Sequence, residues 1–116
     1  MKKNAFLGCT SLKSIGIPNG VEEIGSSAFE GCSALSEVYF VSLTESKLEN
    51  IKQSAFFKCT ALKRFSVPKN VSNIGKMAFY SCSGLERVVL SSKENLKTLG
   101  TGAFYMCSSL KSIELP

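Results

Sequence analysis

Apolar residues recur along the chain in a fixed order that repeats five times. Each copy begins with an Ala-Phe pair, and the pairs start at positions 5, 28, 55, 78 and 103, with spacings of 23, 27, 23 and 25 residues. The full unit reads A-F-x-x-C-[ST]-x-L-x-x-I-x-I-P, then a variable stretch, then V-x-x-I-G-x-x before the next pair. Because the landmarks stay constant while the spacing varies, the extra residues belong in loops, and the period predicts a repeat architecture.

One segment of each copy alternates apolar and other residues with a period of two, which is the pattern of a strand with one buried face. The alternating pairs are Ile15/Ile17, Val38/Phe40, Phe65/Val67, Val88/Leu90 and Ile113/Leu115. Pro18, Pro68 and Pro116 follow or close three of these segments, and proline ends a strand because it cannot donate a backbone hydrogen bond to the next one. The segment before each cysteine is predicted to form a short helical turn.

Two further positions predict continuous columns of large side chains in the interior. One column consists of Phe6, Phe29, Phe56, Phe79 and Phe104. The other consists of Leu12, Leu35, Leu62, Leu85 and Leu110. A single copy cannot bury these side chains alone, whereas stacked copies with neighbouring strands about 4.8 Å apart bury all of them. The pattern therefore predicts one domain over 1–116, a right-handed parallel coil of five short strands with short helical turns on the opposite side.

The opening string MKKNAFLGC has the basic start of an export signal. Only three apolar residues follow that start, whereas a signal peptide needs an apolar core of roughly 7–15 residues. The string AFLGC also returns as AFEGC, AFFKC, AFYSC and AFYMC. The opening is therefore predicted to be the first copy of the repeat, with no visible signal peptide, and no direct membrane insertion is expected.

Composition argues against several classes of chemistry. The 14 Lys and Arg residues exceed the 9 acidic residues for a net charge of +5, but they are scattered singly, so no nucleic-acid partner is predicted. The chain has no histidine and no aspartate, which excludes Ser-His-Asp triads. No Gly-rich phosphate loop or metal-ligand cluster is present in the sequence. We therefore predict a protein that is not an enzyme and that needs no cofactor and no metal.

The five cysteines raise the question of a zinc or redox site. All of them hold one repeat position: Cys9, Cys32, Cys59, Cys82 and Cys107. No C-x-x-C pair occurs and no histidine could complete a zinc site. Reduced cysteine behaves as a small buried hydrophobe, and side chains that point the same way rarely meet the dihedral requirement of a disulfide. The spacing predicts free, buried thiols.

The string L-x-x-[IVF]-x-[IVFL]-P followed by V-x-x-[IL]-G-x-x-A-F-x-x-C resembles the BspA-like leucine-rich repeats, a family of the α/β repeat class. Val41 and Ser91 stand where that pattern has proline, in the two copies that carry insertions around 42–47 and 91–95. The resemblance implies a leucine-rich-repeat solenoid on the surface of a microbe, secreted by it or in its periplasm. It also implies adhesion to host proteins or to other cells, and hence a protein partner.

A binding site is expected on the strand side chains that do not enter the core. They form two central columns: Ser14, Glu37, Arg64, Arg87, Ser112 and Gly16, Tyr39, Ser66, Val89, Glu114. A flanking column contains Lys13, Ser36, Lys63, Glu86 and Lys111. Tyrosine and arginine are favoured at binding hot spots. The predicted protein-binding residues are Glu37, Tyr39, Arg64, Ser66, Arg87, Val89, Ser112 and Glu114.

Arg64 and Arg87 are expected side by side on adjacent strands, where like charges are mildly destabilising. Glu37 beside Arg64 and Glu86 near Arg87 are the expected compensating charges. With the charges compensated in this way, the alternative stays open that this face is an ordinary solvated surface that binds no partner.

A second hypothesis concerns the two ends of the coil. Neither end of the sequence shows the polar capping unit that solenoids usually need. We therefore expect either a fragment of a longer surface protein or a structural scaffold that self-assembles as a homo-oligomer. The contacts for self-association would be made by Phe6, Leu12, Ile113 and Leu115.

Overall fold

Long and short strands alternate along the chain in the computed structural model, which describes residues 1–115. The longer strands are β1 (Ser14–Ile17), β3 (Glu37–Phe40), β5 (Arg64–Val67), β7 (Arg87–Leu90) and β9 (Ser112–Glu114). The two-residue strands are β2 (Glu23–Ile24), β4 (Asn50–Ile51), β6 (Asn73–Ile74) and β8 (Thr98–Leu99). Every strand pair is parallel. The predicted parallel coil is therefore confirmed as a β-solenoid of about four turns.

The expected short helical turns were wrong, since residues 1–115 contain no helix. In each of the first four Ala-Phe turns, alternate N–H groups point along the coil to the next copy. Phe6 donates to the carbonyl of Ala28 at 2.7 Å, and Gly8 donates to that of Glu30 at 2.8 Å. Left-handed φ values recur at two positions of each copy: Asn4, Ser27, Ser54, Met77, Gly102 and Gly8, Gly31, Lys58, Ser81, Met106. A helix needs consecutive right-handed residues, so the backbone cannot continue as one.

The phenylalanine column forms the stacked ladder that the sequence predicts. Successive rings from Phe6 to Phe104 are stacked, with centroid separations of 5.1–5.3 Å. Phe65 of β5 closes the core from the strand side, with its ring centroid 5.2 Å from that of Phe56 and 4.8 Å from that of Phe79. The leucine column is fully buried at its three inner positions: Leu35, Leu62 and Leu85. The core therefore lies between the Ala-Phe turns and the long strands.

The long strands do not form one continuous sheet. β1 pairs with β3, and β5 pairs with β7 and β9, but β3 and β5 are unpaired, whereas β2, β4, β6 and β8 form one sheet. The inserted loop that follows β3 contacts the next copy just beyond the end of β5, where Lys69 donates its N–H to the Leu43 carbonyl at 2.9 Å. Phe40 and Phe65 meet edge to face at 5.9 Å beside this break. The insertion thus coincides with a division of the strand face into two parts.

Candidate functional site

The predicted binding residues lie on the face formed by the long strands, which we call the strand face. The register places Arg64 opposite Arg87 and Arg87 opposite Ser112. In the second column Ser66 lies opposite Val89, which lies opposite Glu114. These six residues are brought together on β5, β7 and β9. Glu37 and Tyr39 are separated from them by the break between β3 and β5.

Tyr39 lies across its neighbour on β1. A Cβ atom placed on Gly16 would come within 2.6 Å of Tyr39 Cε2 and within 2.7 Å of Cζ. The missing side chain of Gly16 therefore makes room for the phenol ring, which still keeps 53% of its surface exposed. Sequence reasoning placed the two residues opposite each other but did not foresee that the glycine forms the floor under the ring. The result is an exposed aromatic side chain with a defined orientation.

Arg87 forms a bidentate ion pair with Glu114. Its Nε donates to Oε2 at 2.6 Å and its Nη2 donates to Oε1 at 2.9 Å, and Ser112 Oγ lies 3.3 Å from the same Oε2. These hydrogen bonds hold the pKa of the Glu114 carboxyl below its ordinary value and raise the pKa of Arg87. The expectation that Glu86 compensates Arg87 was therefore wrong. Glu114 lies two residues beyond the direct partner Ser112, a diagonal that long side chains span.

Arg64 is the other guanidinium of the strand face. It is exposed, and within residues 1–115 no carboxylate forms an ion pair with it. The expected partner Glu37 is on β3, beyond the break in the sheet, so the compensation predicted from sequence was wrong here too. The positive charge of Arg64 contributes to the lowered pKa of Glu114. Glu114 is thus paired with Arg87 alone, and Arg64 has no ion-pair partner within residues 1–115.

The strand face is open and carries no enclosed site for a small molecule. No pocket is found on the surface of residues 1–115. The same part of the chain has no group of three or more His, Cys, Asp or Glu residues that could hold a metal ion. Among the described residues no helix is long and apolar enough to cross a membrane. What the face offers is an array of side chains for recognition over an area.

The cysteines are free thiols, as the sequence predicts, and they have a structural role. Each of four thiols donates a hydrogen bond at 3.0–3.1 Å to the carbonyl of the phenylalanine in the preceding copy: Cys32 to Phe6, Cys59 to Phe29, Cys82 to Phe56 and Cys107 to Phe79. Burial raises the pKa of Cys82 to about 12 and that of Cys59 further. Since the thiolate is the reactive form, these groups stay protonated at neutral pH. Cys9 and Cys107 are only half-buried, because they belong to the first and last copies.

The four residues of the self-association hypothesis lie at opposite ends of the coil. Phe6 and Leu12 are half-buried in the first copy. Ile113 and Leu115 remain 48% and 60% exposed in the last. In the inner copies, the equivalent positions pack against a neighbouring copy on each side.

Comparison with known proteins places these features in context. A family model described as "BspA type Leucine rich repeat region (6 copies)" matches residues 41–116. The chain is similar to the leucine-rich repeat protein of T. pallidum, with 35% identity and a TM-score of 0.89 over 97% of this chain and 50% of that one. No match was found among functionally curated proteins.

Two other solved structures are similar. One is a leucine-rich repeat protein from Bacteroides ovatus, with 33% identity and a TM-score of 0.65 over 98% of this chain and 34% of that one. The other is a leucine-rich cell surface protein from Faecalibacterium prausnitzii, with 26% identity and a TM-score of 0.59 over 88% and 31%. The chain thus spans half or less of the length of each of these proteins.

Proposed function

The chain belongs to the BspA-type leucine-rich repeat family, and from that premise we propose that it is a protein–protein interaction module without catalytic activity. One observation supports this function above the others. The core positions repeat from copy to copy, whereas the exposed strand-face positions change, so the packing of the core does not dictate them. A variable exposed face on a regular scaffold is how solenoids provide extended binding surfaces.

The centre of the proposed site contains Tyr39, Arg64, Arg87 and Val89, with the break between β3 and β5 separating Tyr39 from the other three. Tyr39 offers a large contact area at a low cost in conformational entropy, because Gly16 already supports its ring. Arg64 offers an exposed guanidinium with no ion pair within residues 1–115, and Arg87 is held rigid by Glu114. Glu37, Ser66, Ser112 and Glu114 would surround this centre. Tyrosine and arginine at such positions carry a disproportionate share of binding energy.

The proposed location is the surface of a microbial cell or the medium outside it. This rests on the family and on the Faecalibacterium prausnitzii relative, which is described as a cell surface protein. The specific activity we propose is adhesion, with a host protein or a protein of another cell as partner. In this proposal 1–116 acts as a single domain.

We expect Arg64→Glu and Tyr39→Ala each to weaken binding of a protein partner at least ten-fold. The probes are purified animal extracellular proteins, each tested against the immobilised chain by interferometry. Lys97→Glu is the matched control, because it makes the same charge reversal at an exposed residue away from the strand face and should leave binding unchanged. Equal binding by the wild type and both strand-face variants would contradict the site. If none of the panel binds the wild type, adhesion to a host protein is rejected.

A second candidate function is a structural scaffold that self-associates through its ends. The exposed Ile113 and Leu115 support it, since they could cover Phe6 and Leu12 of a second copy as one inner repeat covers the next. We then expect light scattering to show a mass above 12.5 kDa that rises with concentration. Ile113→Glu should restore the monomer mass. A 12.5 kDa species at all concentrations would reject this alternative.

A further inference from the structure

An aromatic column lies on the outside of the Ala-Phe turns, where sequence reasoning predicted no site. Phe57 and Tyr80 are stacked, with ring centroids 5.0 Å apart and an interplanar angle of 6°. Tyr80 and Tyr105 continue the column at 5.5 Å and 47°. Phe57 and Tyr80 are half-buried, and Tyr105 is 62% exposed. Each of these residues directly follows a phenylalanine of the core ladder in the sequence.

The aromatic column is on the opposite side of the molecule from the strand face. Phe56 and Phe79 point inward from the turns and meet Phe65 of β5 across the core. Their sequence neighbours Phe57 and Tyr80 therefore face away from β5. A ligand on the column would not compete with one bound at Arg64, and this surface is separate from the function proposed above.

Positive charge is concentrated on the same side. The turns carry five lysines, namely Lys2, Lys3, Lys52, Lys58 and Lys76, and one glutamate, Glu30. Lys52 is ion-paired with Glu23 of β2 at 3.5 Å. Lys58 directly follows Phe57, and its Nζ lies 5.5 Å from the centroid of that ring. Lys76 is exposed on the turn that carries Tyr80. Glu30 accepts a hydrogen bond from Ser27 Oγ at 2.8 Å.

We propose that Phe57, Lys58, Lys76, Tyr80 and Tyr105 form a second docking surface, the turn-side band, for an acidic protein segment with apolar side chains. The lysines would bind carboxylates of the partner, and the rings would contact its apolar groups. Aromatic residues are enriched at the cores of protein interfaces. Charge complementarity selects an acidic partner, since Lys58 and Lys76 lie on the same turns as the rings and neither is ion-paired within residues 1–115.

The stacking geometry favours a protein segment over other polyanions. Nucleic-acid bases stack on aromatic faces, but Phe57 covers one face of Tyr80 at 5.0 Å and Tyr105 lies against its other side at 5.5 Å. Only the rings at the ends of the column keep an uncovered face, and the middle ring, Tyr80, is left with its edge and hydroxyl group for contact with a partner. Edges pack well against aliphatic and aromatic side chains, which meet rings in edge-to-face contacts.

The test is selection of a random dodecapeptide display library on the immobilised wild-type chain. We expect the enriched peptides to be acidic and to contain leucine, isoleucine or aromatic residues. A synthetic peptide of the consensus sequence is then bound to two variants. One is the double variant that combines Lys58→Glu with Lys76→Glu, and the other is Tyr105→Ser. For each of them the dissociation constant should rise at least ten-fold. Tyr105 is exposed, so its substitution tests the column without disturbing the core. Circular dichroism melts confirm that each variant is folded.

Arg64→Glu is the matched control on the strand face and should bind the consensus peptide as the wild type does. The proposal would be overturned if the selection enriched neutral or basic peptides, or no peptide at all. It would also be overturned if the turn-side variants bound the consensus peptide as tightly as the wild type does. Heparin and phosphatidylserine vesicles are tested in parallel. If either depends on Lys58 and Lys76 while no acidic peptide does, the surface belongs to another class of ligand. If Arg64→Glu alone loses the consensus peptide, the peptide binds the strand face and the turn-side proposal is overturned while the strand-face site is supported, so the two proposals fail separately.

Discussion

Phe56→Ala is expected to lower the free energy of unfolding by about 3–5 kcal/mol, the range for truncating a buried phenylalanine. Phe56 is fully buried. Its ring is stacked on Phe29 and Phe79 at 5.1 Å, and the edge-on ring of Phe65 lies 5.2 Å away. The rigid backbone ladder on each side limits collapse around the missing ring, so a cavity would remain. Urea unfolding followed by circular dichroism measures the loss.

Phe57→Ala is the matched control, because the neighbouring residue undergoes the same change on the outside of the same turn. It loses one stacked contact with Tyr80 and part of a half-buried surface, so we expect a decrease of roughly 1 kcal/mol. If the two variants lost similar amounts of unfolding free energy, the phenylalanine ladder in the core would not be the main source of stability. A small loss for Phe56→Ala would show that the neighbouring copies close the gap.

Gly31→Ala is expected to destabilise the protein by about 1–2 kcal/mol, the cost of placing a side chain in the left-handed region. Gly31 has a φ of 75°, and its N–H donates to the Phe57 carbonyl of the next copy at 2.8 Å. An added Cβ would meet only the Gly8 Cα, at 3.8 Å. The cost is therefore conformational and not steric. Thermal and urea unfolding should both show it.

The same substitution at Gly20 should have the opposite sign. Gly20 is exposed, its φ is outside the left-handed region, and an added Cβ would meet nothing within 4 Å. Gly20→Ala should raise stability by about 0.4–1 kcal/mol through the lower entropy of the unfolded chain. If both variants change stability in the same direction, the left-handed geometry does not account for the effect at Gly31.

Most of the fold could be predicted because the repeat supplies five independent readings of one pattern. The positions of Phe56 and Leu62, for example, are apolar in every copy, and stacking is the only way to bury them all. The short helical turns were a wrong prediction for a local reason. Lys58, Ser81 and Met106 have left-handed φ values although their residue types do not favour that region. The signal at this position was the glycine of the first two copies, Gly8 and Gly31, which the prediction of a helical turn did not use.

The candidate site was predictable in its membership but not in its contacts. Alternation alone assigned Arg87 and Glu114 to the exposed face, yet the partner chosen for Arg87 was Glu86. The structure selects Glu114 because the diagonal from β7 to β9 suits the bidentate geometry. The division between Glu37 and Arg64 was also missed, because the inserted loop after β3 indicates extra length and not a break in strand pairing.

The sequence by itself determined which side chains lie inside, which strands run parallel and which cysteines form a column. These properties follow from a repeated order of apolar residues, and they do not depend on the length or conformation of the loops that connect the copies. Only the tertiary structure decided the hydrogen bonds that run between copies, the break between β3 and β5, and the joining of Phe57, Tyr80 and Tyr105 into one surface. Those features depend on contacts between a residue of one copy and its counterpart more than twenty positions away in the sequence. Only the stacking of the copies brings the two residues together.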